Sequence, residues 1–145
     1  MHKLFRRLVI AAVATTMLFA AASMTTTPEA HATAQTCTSA KQGGMCTTVQ
    51  GSGTHVERVY SIYEKIIPTG PLFQVCNIRA WFFEITPSGK VNDLGIESRD
   101  GCQIATRVWL SKPFDRDFPA GSKLCTKFYE DDWQELVGQR CVGIG

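Results

Sequence analysis

His55 stands in the stretch Thr54-His55-Val56-Glu57-Arg58, which sets an imidazole, a carboxylate and a guanidinium close together. A base, an acid and a phosphate-holding cation are what a small secreted ribonuclease combines. If the stretch is a strand, His55 and Glu57 share a face and Arg58 points away, because side chains alternate along a strand. A serine hydrolase needs a Ser and a His in reach of each other, and usually a carboxylate. The chain has no G-x-S-x-G, and Ser52 precedes His55 by too few residues for that geometry. Acids gather at Glu130-Asp131-Asp132 with Glu135 following. Glycosidases hold two carboxylates across a cleft, whereas adjacent acids in a short segment are solvated. The cluster also lacks the ligand spacing and glycine of a calcium loop. Asp115-Arg116-Asp117 reads as a charged loop whose local ion pair is worth little. No catalytic, metal or cofactor residue is assigned from these patterns.

Aromatic residues carry a different chemistry. Trp81-Phe82-Phe83 cannot all point inward on one strand, so one side of that strand presents rings outward. Trp81, Phe83, Trp109, Phe114 and Trp133 are therefore candidates for an apolar binding surface.

The elements that must position these residues are cross-linked. Residues 1–34 have the layout of a secretory signal peptide. A basic start (Lys3, Arg6, Arg7) precedes an apolar stretch over residues 8–22, and a small-residue segment ends in Ala30-His31-Ala32-Thr33-Ala34. That apolar run is shorter than the roughly 18–20 residues needed to span a bilayer. Cleavage after Ala34 is preferred and leaves residues 35–145 as one domain. It also removes His2 and His31, so His55 is the sole remaining His and two-histidine mechanisms are excluded.

Cleavage changes the charge. Residues 1–34 hold three of the 15 Lys+Arg and one of the 13 Asp+Glu, leaving 12 of each. The net charge falls from +2 to zero, and the basic bias belongs to the export segment. Nothing then favours a nucleic-acid partner or an anionic membrane surface.

Cys37, Cys46, Cys76, Cys102, Cys125 and Cys141 all follow the signal segment. An even number of cysteines in an exported chain reads as disulfides. Six permit 15 connectivities; short loops close most easily, so pairing in sequence order is expected: 37–46, 76–102 and 125–141. A zinc site is disfavoured because no C-x-x-C occurs.

Along the chain, residues 35–44 read as a polar leader and residues 45–50 as a short strand. Residues 56–67 are ambiguous. Val56, Val59, Tyr60, Tyr63, Ile66 and Ile67 form a nearly helical stripe, and Thr54-x-x-Glu57 matches a capping box. The segment is nevertheless rich in Val, Ile and Tyr and has no Ala, Leu, Met or Gln, so strand is the expectation. A turn follows at Pro68-Thr69-Gly70-Pro71. Strands are expected over residues 72–85, 90–96, 102–110, 122–129 and 141–144. Turns are expected at Pro87-Ser88-Gly89 and Asp100-Gly101, a loop over residues 112–121, and a helical turn or loop over residues 130–139. This spacing predicts an all-β, disulfide-stapled antiparallel sandwich or barrel.

Three segments read together: residues 51–59 (GSGTHVERV), residues 118–125 (FPAGSKLC) and residues 141–144 (CVGI). Their combination resembles small exported, cysteine-containing β-sandwich proteins of unknown function from actinobacteria. That resemblance implies strand from Val56 onward and no active site. Three functions are carried forward. The first is a non-enzymatic domain binding an extracellular macromolecule. The second is a protease or glycosidase inhibitor presenting residues 112–121. The third is a small hydrolase or nuclease using His55.

Overall fold

In a computed structural model that describes residues 32–40, 42–65 and 74–145, the stretch around His55 is a β-hairpin. Gly53 takes a left-handed backbone (φ 55°) between β2 (Gly43–Ser52) and β3 (His55–Lys65). Together with Thr54 it makes a two-residue loop, and glycine at the first loop position suits that turn. Just beyond the turn, Gln50 pairs with Arg58 but Gly51 pairs with Val56, so Glu57 is an extra residue in a bulge. Gly51 is required there, because a Cβ would lie 2.1 Å from the His55 carbonyl oxygen.

The bulge explains the helix-like stripe. It resets the alternation, so Val56 and Val59, three apart, both face inward and are 1% exposed. Tyr63 then follows Val59 on the inner face, while Tyr60 and Ile62 point outward. The expected strand is present, but the sharing of a face by His55 and Glu57 assumed unbroken alternation, and the bulge at Glu57 breaks it.

The remaining strands are β1 (Ala32–Ala40), β4 (Gln74–Ile85), β5 (Val91–Ile104), β6 (Arg107–Asp117), β7 (Lys123–Glu130) and β8 (Glu135–Gly143). They form two antiparallel four-stranded sheets, ordered β1-β2-β3-β6 and β5-β4-β7-β8. The two sheets pack as an all-β sandwich. Three connections cross between them: β3 leads to β4, β5 returns to β6 beside β3, and β6 leads to β7 beside β4. The described residues contain no helix.

Several expected boundaries are corrected. The polar leader is strand β1, which begins at Ala32 and so includes the last three residues of the expected signal segment. Asp100-Gly101 is a bulge inside β5 rather than a turn: Cys76 pairs with Cys102 but Ile78 pairs with Arg99. The expected strand 102–110 is broken at Ala105-Thr106, so Ile104 is exposed while Val108 and Leu110 are buried. Most of the expected loop over residues 112–121 continues β6 to Asp117. Residues 131–134 form a turn that leads straight into β8. The turn expected at residues 68–71, most of the signal segment, and the stripe positions Ile66 and Ile67 lie outside the described residues.

The disulfides are Cys37–Cys46, Cys76–Cys102 and Cys125–Cys141, in sequence order. Each joins residues directly opposite on neighbouring strands, with Cα atoms 4.0–4.1 Å apart. Each therefore closes one hairpin within one sheet, and none links the two sheets. Three disulfides are the cysteine usage of a chain that folds in an oxidising compartment.

The sheets are held to each other by burial. Met45, Val49, Val59, Tyr63, Val108 and Leu110 from the first sheet meet Ile78, Ala80, Phe82, Leu124, Phe128 and Val142 from the second. Each large apolar side chain so buried stabilises by roughly 1.5–3 kcal/mol. The polar groups among them are mostly paired. The Thr47 and Thr126 hydroxyls lie 2.6 Å apart across the interface, and Glu84 accepts from Ser122 Oγ at 2.7 Å. At the opposite end of the sandwich Glu130 faces Lys65 Nζ at 3.8 Å. Burial pushes the Glu130 carboxyl up, with Lys65 opposing. Burial, with Glu130 nearby, also pushes the Tyr63 phenol up to about 12.

Candidate functional site

The outward rows of the first sheet are set by register. β2 places Thr48 against Tyr60 of β3, and β6 places Trp109 against Ile62 and Arg107 against Glu64. Thr48, Tyr60, Ile62, Arg107 and Trp109 together line an open groove of about 390 Å³. Trp109 is 50% exposed although its neighbours Val108 and Leu110 are fully in the core. The Tyr60 hydroxyl donates to Gln50 Oε1 at 3.3 Å. Thr48 Oγ1 is buried without a hydrogen-bond partner, which costs stability in an unliganded protein. Arg107 and Glu64 face each other but form no ion pair with each other among the described residues.

No family model, curated protein or solved structure matches this chain. The groove must therefore be read from its own residues. Its lining combines Trp109, Tyr60 and Ile62 with the polar groups of Thr48 and Arg107, the mostly apolar composition usual for a ligand pocket. Nothing lining it is a nucleophile with an adjacent base.

The five aromatic candidates do not converge. Trp109 belongs to the groove. Trp81 and Phe83 lie on the outer face of the second sheet, their rings 4.7 Å apart, with Lys127 Nζ over both at 5.0 and 5.9 Å. Phe83 is only 4% exposed. The indole N–H of Trp81 donates to Asp93 at 2.8 Å. The backbone N–H of Gly95 and that indole hold the Asp93 carboxyl below its ordinary value. Phe114 packs edge-on to Phe118, with the Arg116 guanidinium over both rings. Trp133 packs edge-on to Tyr129 in the β7–β8 turn. There Asp131, Asp132 and Trp133 all take a left-handed backbone, a run that costs about 1 kcal/mol or more per residue. The turn is tied to β4 by Asp131 N–H to the Cys76 carbonyl, and by Arg79, which reaches Asp132 at 2.5 Å and Asp100 at 2.7 Å.

His55 sits at one pole of the sandwich. Its ring nitrogens lie 3.2 Å from Asp115 and 3.4 Å from Asp117, both on β6. Arg58 turns to Ser111 Oγ at 3.2 Å. The acid partners are therefore not Glu57, and the guanidinium is directed elsewhere. A small recess of about 160 Å³ behind His55 is otherwise lined by Ala34, Val49, Val56, Ile144 and glycines. It offers an imidazole with no nucleophile or second acid in its wall. Among the described residues, no group of three or more His, Cys, Asp or Glu is placed to hold a metal ion. The loop that an inhibitor would present over residues 112–121 is mostly β-strand, which leaves only the short connection after Asp117.

Sequence reasoning missed Thr48, Tyr60, Ile62 and Arg107. Tyr60 and Ile62 did carry a signal: apolar residues on both faces of β3 meant that one set had to point outward.

Proposed function

We propose that this protein is an exported, non-enzymatic binding domain that engages an extracellular macromolecule through the outer face of its first sheet. In this reading residues 1–34 direct export and are removed, and residues 35–145 act outside the cell as one domain. The observation that carries it is Trp109. A large indole stands half-exposed on a strand whose adjacent residues are buried, in a groove it shares with Tyr60, Ile62 and the unpartnered Thr48 hydroxyl. Exposed aromatic clusters of this kind mark binding surfaces. The balanced charge of residues 35–145 speaks against nucleic acid or membrane as the partner.

The likeness to small exported actinobacterial β-sandwich proteins belongs to the same reading. Its three segments meet at one pole: Phe118 N–H donates to the Thr54 carbonyl, and Gly121 N–H to the Ile144 carbonyl.

The test compares labelled wild-type protein with Trp109→Ala for retention on envelope and extracellular material from the organism that makes it. Wild type is expected to be retained and the variant released. Because Trp109 points outward, its removal should leave folding stability within about 0.5 kcal/mol. Equal retention of the two proteins would overturn the assignment of this face.

A further inference from the structure

We infer that the groove on the first sheet takes a neutral sugar chain, an inference that rests on the binding reading above. β2 and β3 are hydrogen-bonded on both sides, so the floor offers no free backbone groups. On β6, the Trp109 carbonyl already accepts from Arg99 at 3.4 Å. A peptide could add as another strand, as sheet proteins commonly capture peptides, only along the outer edge of β6, which Pro113 interrupts. Recognition at the groove falls to side chains.

Those side chains match the two surfaces of a sugar ring. The half-exposed indole of Trp109 offers an electron-rich face, and aromatic faces attract groups carrying partial positive charge. The C–H groups on one side of a pyranose are such a surface. Tyr60 and Ile62 extend the apolar wall.

The polar half comes from Arg107, which lines the groove, and from Glu64, which lies opposite Arg107 in register just beyond that lining and is not joined to it. A guanidinium donates only and a carboxylate accepts only. The ligand that satisfies both is one whose groups donate and accept alike, which describes adjacent hydroxyls. The pair carries no net charge, so it gives an anionic ligand no advantage. Thr48 Oγ1 lies opposite Tyr60 without a partner. A ligand hydroxyl that reaches this oxygen would satisfy it.

The experiment uses the full exported protein with its disulfides formed. Calorimetry and tryptophan fluorescence are read against three panels: neutral oligosaccharides, uronate oligosaccharides of matching length, and extended peptides. Neutral oligosaccharides should bind most tightly and shift the fluorescence. Trp109→Ala should lose at least about tenfold in affinity. Arg107→Lys, which keeps the charge but loses the donor fork, should weaken the neutral ligands several-fold. Tighter binding of uronates or peptides, with Trp109 still required, overturns the sugar assignment and leaves the binding face standing. Neutral sugars that bind wild type and Trp109→Ala equally overturn the face itself. No binding from any panel overturns the sugar assignment, and the retention assay then decides separately whether the face binds anything.

Discussion

Three of the four sheet edges differ from the fourth. β1, β5 and β8 are each joined to an inner neighbour by a disulfide, whereas β6 has none. β6 is held by the burial of Val108 and Leu110, by Lys112 donating to Glu97 at 2.8 Å, and by Asp115 and Asp117 against His55. It is also the strand that displays Trp109 and Arg107 outward. The interface between the sheets resembles β6, since no disulfide crosses it. Covalent closure here restrains hairpins, while the register of one sheet on the other, and of the groove-bearing strand on the first sheet, depends on non-covalent contacts: packing, the Thr47–Thr126 contact between the sheets and the β3–β6 ladder. An exposed, unpaired edge invites aggregation. The disulfides pin three edges. The fourth is interrupted by Pro113, carries Lys112 and Arg116, and is covered in part by Arg99.

The largest effect is expected where no disulfide supports the packing. Leu110→Ala on β6 removes a side chain that is 5% exposed and should cost about 4 kcal/mol, within the usual range for emptying a core leucine site. Chemical denaturation measures the loss. Amide exchange locates it: β6 should lose protection before the stapled β1 does. Faster exchange in β1 than in β6 would reverse the comparison.

What the sequence disclosed follows the same division. The all-β class, the disulfide pairing and the strand around His55 were readable because residue types, turn chemistry and short-loop closure are local. The helical spacing of Val56, Val59 and Tyr63 competed with the strand reading, and the shared face of His55 and Glu57 failed, because the bulge at Glu57 inserts a residue that no composition rule reveals. β6 was half lost because Pro113, which lacks a backbone donor, reads as a loop signal. It is tolerated because β6 is an edge strand. β1 was lost because ATAQTCTSA is polar on both sides, which suits an edge and mimics a tail. The groove was illegible for a different reason. It depends on β6 pairing with β3, so that Trp109 lands opposite Ile62, and nothing in either segment alone announces a contact so distant in sequence. The acids against His55 come from that same pairing.

The staples should rank by the loop each closes. Sequence separations of 26, 16 and 9 correspond to about 3.5, 3 and 2.5 kcal/mol for replacing Cys76–Cys102, Cys125–Cys141 and Cys37–Cys46 by serine pairs, if the unfolded chain bears the effect. Denaturation midpoints of the three double variants test the order. Near-ultraviolet circular dichroism should stay native-like in each, because the aromatic contacts of the core do not depend on a bridge between the sheets. A reversed ranking would mean that the bridges act chiefly on the native strands.

The smallest effect probes the interface between the sheets. The Tyr63 ring lies 5.7 Å from that of Phe128 on the opposite sheet, and its phenol is raised from 10.0 to about 12. A raised value means that the folded protein prefers the neutral phenol. The associated stability is fully present below pH 10 and is lost as the pH climbs through 12. A shift of this size corresponds to at most about 2.7 kcal/mol. Tyr63→Phe, which cannot ionise, should therefore match wild type closely at neutral pH and resist alkaline unfolding better between pH 10 and 12. If the two proteins unfold in parallel over that range, the phenol is not shielded by the packed sheets, and the view that burial chiefly joins them weakens at that point.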